Sequence, residues 1–296
     1  MEVVKDNIEQ CNPKVYVVMR NHNAFDLTYC CLSSLADCSY QNLHIVVIDD
    51  GSKDDSGDRI SAEFPSLTVI KSAEYIEYCR GLNVGLRHAL SNDADFVFVV
   101  NNDTANFTTN YFEALVAAFS TDETIGMVGS LVYDFDGNRR SAGTAQTRLG
   151  VFVDTPTEGY MFSSKVLREV GLFDEVLVRY FEDFDYLIRM RNQGFRSLCV
   201  KSVSFDHLGG GTSKNQLFVP NYYRVRNLIW FIKRYQKDKS VAWKLINFRG
   251  FMKKHIMLSI NHLQKGRLVK ASCVILSVWA GLIVGLALNW SNENYD

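Results

Sequence analysis

Apolar and polar positions fall into alternating blocks along the first hundred residues. Positions 15–19 (VYVVM), 43–48 (LHIVVI), 67–70 (LTVI) and 96–100 (FVFVV) are short apolar runs bounded by polar or turn-forming sequence. That pattern predicts four buried strands. Between them, 25–38 sets Phe25, Cys31, Leu32 and Leu35 at helical spacing. Segment 52–64 reads as a helix capped by Ser52, with Asp54 and Asp55 in a first turn where the helix dipole favours acids. Segment 80–90 is a third helix. Strands alternating with helices predict an α/β fold, a mostly parallel sheet covered on both faces. No repeat with a period of 20 to 50 residues interrupts it.

The pattern loosens between 126 and 207. Positions 125–133, 160–163 and 195–200 read as strands, Asp136-Gly137 as a turn and 164–170 as a short helix. In FEDFDYLIRMRNQGF, Leu187, Ile188 and Met190 point inward from a helix that starts near Asp183 and stops at Gly194. Arg189 stands four residues after Asp185 and can pair with it.

Polar residues gather where the strands end: Arg20-Asn21-His22-Asn23, Asp49-Asp50-Gly51-Ser52 and Asn101-Asn102-Asp103. Ligands of an open parallel sheet bind beyond the carboxyl ends of its strands. Three such clusters should therefore converge on one crevice. Turn and cap formation explains any one of them, but explains three together less well.

Charge adds a second feature. The net charge of −1 hides a split. Residues 1–223 carry 19 basic and 30 acidic side chains, whereas 224–270 carry 13 basic ones and a single acid, Asp238. The seven cysteines include no CxxC pair, so a disulfide framework or a structural zinc site is not expected. The polar N-terminus lacks a signal-peptide pattern, and the cytosol is the expected compartment.

Six pieces in order resemble the family-2 glycosyltransferases: VVIDDGSKDDS, LNVGLRHAL, VVNNDT, EGYMFSSKVLREVGLFDE, YFEDFDYLIRMRNQGF and FDHLGGGTS. They span about residues 14–235. The Asn-x-Asn after the first strand and the NNDT motif look most like the bacterial polysaccharide branch, which includes rhamnosyltransferases. The resemblance implies a GT-A fold: a Rossmann-like, mostly parallel central sheet flanked by helices. It divides the chain into a catalytic domain, 1–223, and a basic helical extension, 224–296. Within the domain, about 14–125 would bind nucleotide and about 126–223 the acceptor.

It further implies an inverting transfer of a sugar from a UDP- or dTDP-sugar, dTDP-rhamnose among them. The acceptor would be a glycan or a lipid-linked glycan in cell-surface polysaccharide or lipopolysaccharide assembly. Asp183 matches the catalytic base and Glu182 its acidic neighbour. Asp49 matches the acid that accepts the N3–H of uracil or thymine. Arg20 and His22 would line the base or phosphate pocket, and Asn83 and Asn102 would complete the nucleotide site. Asp103 matches the last acid of the metal-binding DxD motif and His207 a second metal or phosphate ligand. The metal would be Mg²⁺ or Mn²⁺. Asn101 replaces the first acid of that motif, which removes one charge from the metal site. The glycines 209–211 would let a loop close over the donor. Two rival readings stay open: a non-catalytic sugar-nucleotide or glycan-binding protein on the same fold, and a nucleotidyltransferase.

The tail has its own signature. Residues 224–270 carry aromatic and aliphatic stripes, including Trp230, Phe231, Trp243, Leu245, Ile246, Phe248, Phe251 and Met252. Residues 271–288 are uncharged and mostly apolar, with Gly281-x-x-x-Gly285. A helix that packs in a homodimer interface or lies on a membrane face fits better than a true span. The basic segment would favour an anionic membrane surface, peripheral on the inner face of the cytoplasmic membrane. No nucleic-acid-binding motif accompanies the charge.

Overall fold

The computed structural model describes residues 12–134, 136–141, 145–146, 152–153, 158–209, 218–236 and 241–287. Its elements run β1 (Val15–Asn21), α1 (Phe25–Ala36), β2 (Leu43–Asp50), α2 (Ser56–Glu63), β3 (Thr68–Ser72), α3 (Tyr78–Ser91), β4 (Phe96–Val100), β5 (Thr104–Ala105), α4 (Tyr111–Phe119) and β6 (Ile125–Asp134). Then come β7 (Arg139–Ser141), β8 (Ala145–Gln146), β9 (Phe152–Val153), β10 (Gly159–Ser163), α5 (Ser164–Glu169), α6 (Glu182–Asn192) and β11 (Arg196–His207). Three helices follow: α7 (Phe218–Tyr235), α8 (Val241–Gln264) and α9 (Leu268–Ala287).

The main sheet has the order β3-β2-β1-β4-β10-β6-β11-β5, with β7 against β6. The first four strands are parallel, β10 runs antiparallel between β4 and β6, and β11 is parallel to β6. Alternation along β1 explains the layering. Tyr16 and Val18 face the side covered by Leu82 and Leu86 of α3, while Val17 and Met19 face the side covered by Leu32 and Leu35 of α1. Both faces are dry, so the strands read as unbroken apolar runs.

Two details differ from expectation. The helix anticipated at 52–64 begins only at Ser56, and Ser52 does not cap it. The Ser52 hydroxyl instead bonds the Asp49 carboxylate at 2.5 Å. The strand anticipated at 195–200 continues to His207, with a register shift between Val200 and Ser204.

The C-terminal sequence is a helical hairpin docked on a third helix. Position 223 lies inside α7, whose Trp230 and Phe231 belong to the same apolar cluster as Val99, Phe162 and Tyr186. A Cβ on Gly281 of α9 would lie 2.6 Å from the Tyr222 carbonyl oxygen, and one on Gly285 would lie 2.9 Å from Ile229. The GxxxG spacing thus lets α9 approach the backbone of α7. Lys233 donates to the carbonyls of Gly285 and Leu286 and so caps the end of α9. Among the described helices, α9 is long and apolar enough to cross a membrane. The side chains of Trp243, Leu245, Ile246, Phe248, Phe251 and Met252 lie outside the described residues, as does the tail 288–296.

Candidate active site

The first strand end builds a closed polar network. Asn21 is fully buried at the end of β1. Its amide nitrogen donates to Asp49 Oδ1 (2.8 Å), Ser56 Oγ (2.9 Å) and, more weakly, Ser52 Oγ (3.3 Å). Its carbonyl oxygen accepts from Thr28 (2.8 Å), and Thr28 accepts from Asn102 (2.9 Å). One line of bonds therefore joins the ends of β2, β1 and β4. Asp49 is buried, with Oδ1 already engaged by two donors. Asn102 holds this line together from the β4 side.

Asp50 points to the opposite side of β2. Its carboxylate accepts from Arg20 Nε (2.5 Å) and the backbone of Ile76 (2.6 Å). His22 Nδ1 meets the Asp50 carbonyl at 2.7 Å, and its ring lies 4.5 Å from that of Tyr75. The Arg20 guanidinium sits 5.0 Å from the Tyr75 ring centroid, and its buried Nη2 has no hydrogen-bond partner among the described residues. Gly51 makes this turn feasible: it sits at φ +59°, and its Cα faces the 74–75 backbone too closely for any side chain. Arg20, His22 and a half-buried Tyr75 thus form a wall with an aromatic face and a spare cationic donor. Tyr75 carried no motif signal in the sequence.

Asn83 lies in α3 and faces away from this wall. It exchanges hydrogen bonds with Phe173 through both backbone groups and donates to Glu175 (3.0 Å). Its carboxamide ties α3 to the segment leading to α6.

Asp103 and His207 come together. The β5–β11 pairing sets His207 opposite Thr104, and His207 Nε2 lies 3.3 Å from Asp103 Oδ2. The two are separated by more than 100 residues of chain, and the length of β11 brings them into one site. The carboxylate suits an oxygen-seeking divalent cation that keeps water and phosphate in its other positions, and the imidazole favours a transition metal such as Mn²⁺ over Mg²⁺. No third His, Cys, Asp or Glu joins them among the described residues. Gly209 follows at φ +60°; Gly210 and Gly211 lie outside the described residues.

Glu182 and Asp183 open α6. Burial pushes both carboxyls up, Asp183 to about 6, with the nearby charge of Glu158 adding to it. Glu182 rises to about 8, through burial and then the charge of Asp183. Glu182 Oε2 is buried without a hydrogen-bond partner. The phenol of Tyr78 donates to Asn101 Oδ1 (2.9 Å) and is held protonated by burial and by the charges of Glu182 and Asp183. Tyr78 therefore stands within the field of the carboxylate pair while bonded to the NND turn that carries Asp103. Tyr78, Tyr160 and Glu158 complete this corner, and no sequence motif singled them out.

The backbone before the pair is strained. Val178, Tyr180 and Phe181 all have positive φ, at 66°, 66° and 73°. Such values are rare for non-glycine residues, and for a β-branched one they are costly.

Residues 16–177, more than half of the chain, match the model of glycosyl transferase family 2. The chain belongs to that family. A relative, the dTDP-rhamnosyl transferase RfbF of Shigella flexneri, is 21% identical over 264 residues, covering 77% of this chain and 88% of RfbF. Among solved structures, the mannosyltransferase PcManGT from Pyrobaculum calidifontis, in complex with GDP-Man and Mn²⁺, superposes with a TM-score of 0.56 at 18% identity, over 95% of this chain and 81% of that one. S. aureus TarS 1-349 gives 0.56 at 17% identity, over 90% and 81%. The fold is GT-A, as the motif order implied, and the protein is a glycosyltransferase.

Proposed function

We propose that this glycosyltransferase is an inverting enzyme that moves one sugar from a UDP- or dTDP-sugar to a hydroxyl of a glycan or lipid-linked acceptor. The likeness to a dTDP-rhamnosyl transferase supports a dTDP-sugar donor, and the branch that the motifs resemble supports a role in cell-surface polysaccharide or lipopolysaccharide assembly. The observation that supports the mechanism is the partly buried carboxylate pair at the start of α6, whose charges act on Tyr78, which donates to Asn101 in the turn bearing Asp103.

In this reading the nucleotide base lies on the Arg20–His22–Tyr75 wall, near the Asp49 turn. Asn83 and Asn102 act by holding the surrounding backbone. Asp183 takes the proton of the acceptor hydroxyl as that oxygen attacks the anomeric carbon. The bond from that carbon to the diphosphate breaks, and its electron pair leaves with the nucleoside diphosphate. A single displacement inverts the configuration. Asp103 and His207 would hold Mg²⁺ or Mn²⁺, which supplies charge neutralisation for the departing diphosphate. Glu182, neutral near pH 7, donates a hydrogen bond to the acceptor.

The test is nucleoside diphosphate release from a panel of UDP- and dTDP-sugars, with metal or chelator, in wild type and Asp183→Asn. Metal-dependent release from one donor, lost in the variant, supports the reading. Pyrophosphate release from UTP or dTTP with a sugar 1-phosphate, without nucleoside diphosphate from any sugar nucleotide, would instead indicate a nucleotidyltransferase, and tight donor binding without turnover at any acceptor would indicate a binding protein.

The helical hairpin supports a membrane location. Leu268, Val269, Leu276, Trp279, Ile283 and Leu286 on α9 are each at least 60% exposed, and Ile256 and Met257 on α8 are more than half exposed. Exposed Arg249, Lys253, Lys265, Arg267 and Lys270 lie on the same two helices and their connection. An apolar face with cationic neighbours suits an anionic bilayer. Sedimentation with phosphatidylglycerol vesicles tests this. Binding that Trp279→Glu abolishes supports it. A stable dimer in solution that Trp279→Glu dissociates, without vesicle binding, would assign the face to a second copy.

A further inference from the structure

The segment that presents Glu182 and Asp183 leaves a single 3₁₀ turn, Glu175–Leu177, and is otherwise neither helix nor sheet, yet every carbonyl from Val176 to Phe181 has a partner. Asp185 N–H takes the Phe181 carbonyl, and Cys79 N–H of α3 takes that of Val178. The other four are taken by two adjacent side chains of α7. Arg226 Nη2 donates to Val176 and to Leu177 (3.1 Å). Asn227 Nδ2 shares its hydrogens among Leu177, Arg179 and Tyr180, each at 2.8 Å. Arg226 Nε in turn fixes the Asn227 carbonyl oxygen at 2.8 Å. The neighbouring Arg224 lies over the Tyr180 ring at 4.4 Å.

Asn227 is fully buried and Arg226 nearly so. A buried guanidinium is costly to desolvate, and the carbonyl oxygens of Val176 and Leu177 repay part of that cost. Those carbonyls are turned outward by the left-handed conformations at 178, 180 and 181. The strain and the donors fit each other: without the donors, the segment has no reason to stay in that conformation.

The grip has an outer support. α7 carries Arg226 on a backbone that α9 touches. Cβ atoms on Gly281 and Gly285 would lie 3.3 Å from Arg226 N and 3.2 Å from Arg226 O.

We propose that Arg226 and Asn227 are positioning residues for the transfer reaction: they hold the strained 176–181 backbone so that Asp183 stays aimed at the acceptor hydroxyl. The proposal rests on Asp183 being the base. It makes α7 part of the catalytic apparatus while neither residue touches substrate.

The experiment compares wild type, Asn227→Ala, Arg226→Lys and Asp183→Asn with the donor found by the panel above. Asn227→Ala should lower kcat by about 10²-fold, the cost of displacing a catalytic group by an ångström, with the donor KM within about twofold. Arg226→Lys keeps the charge but loses the fork, and should fall between. The acidic limb of the kcat profile should move to lower pH in both, because a loosened Asp183 gains water. Amide exchange across 176–184 should quicken while β1, β2 and β4 keep wild-type protection. An unchanged acidic limb and unchanged exchange in Asn227→Ala, beside an inactive Asp183→Asn, overturns the proposal alone. Loss of nucleoside diphosphate binding and of protection throughout the sheet would overturn it by showing a general folding role. Wild-type turnover in Asp183→Asn would remove the base itself, and the proposal with it.

Discussion

The two halves of the site solve opposite problems. At the ends of β1, β2 and β4, polar groups are buried and, apart from Arg20 Nη2, paired: Asn21 alone makes four hydrogen bonds, and Asp50 is matched by Arg20 and Ile76. At the start of α6, an acid with a partnerless oxygen sits beside a second acid, behind three left-handed residues. The first arrangement fixes a shape. The second leaves underpaired the groups that, in the proposed mechanism, change protonation. A platform that only binds can be fully satisfied, whereas a base has to be left underpaired to have affinity for a proton.

The sharpest test of that contrast is Asp183→Asn. Turnover should fall by about 10²–10⁴-fold, the usual worth of a general base. Removing one of two buried, repelling acids should also raise the melting temperature, and nucleotide affinity should not change. A variant that loses both stability and nucleotide binding would erase the distinction. Next in size, Asp103→Asn should lower turnover by about 10²-fold and shift the Mn²⁺ requirement to higher concentration. Metal titrations of turnover read this directly.

On the satisfied side, Asn21→Leu should cost about 3 kcal/mol, since it leaves Thr28, Ser56 and Asp49 buried without their partner. Chemical denaturation measures it, and Asn21→Leu should be the more destabilising of the two Asn/Asp changes.

The pH dependence separates the halves by sign. Glu182 and Asp183 bind protons more tightly folded than unfolded, so stability declines as pH rises from about 4 through about 8. Turnover moves the other way, rising as Asp183 ionises near 6. The slope of stability should flatten in Asp183→Asn, because the Asp183 charge is part of what raises Glu182. Denaturation midpoints across that range decide it. The smallest effect is expected for Val178→Gly, which relieves the φ of 66° and should change stability by about 1 kcal/mol or less. A larger loss would show that Val178 contributes packing rather than strain.

The platform was legible because its signals are local. Apolar runs at 15–19 and 96–100 gave their strands closely, and polar tripeptides marked where they end. The reactive half was legible only in part. Asp183 and Glu182 stood out as a pair at a helix start, but Tyr78, Tyr160 and Glu158 reach them from other elements, and no spacing in sequence encodes that. Asp103 and His207 were each visible, yet their meeting depends on β11 running on past 200. Asn83 looked like part of the nucleotide site; its bonds to Phe173 and Glu175 emerge only when α3 and the 173–175 segment pack. The burial of Arg226 is invisible to a charge count.

The grip of α7 on the 176–180 carbonyls also sets an order of events in synthesis. The strands that form the platform emerge from the ribosome well before residue 226, and domains tend to fold from the N-terminus as they appear. The segment before Glu182 must wait for donors made about fifty residues later. A nascent chain can therefore form its first parallel strands while the 176–181 backbone is still unheld, and a nonsense mutation between 210 and 225 would remove those donors together with the Trp230 and Phe231 side chains of the core.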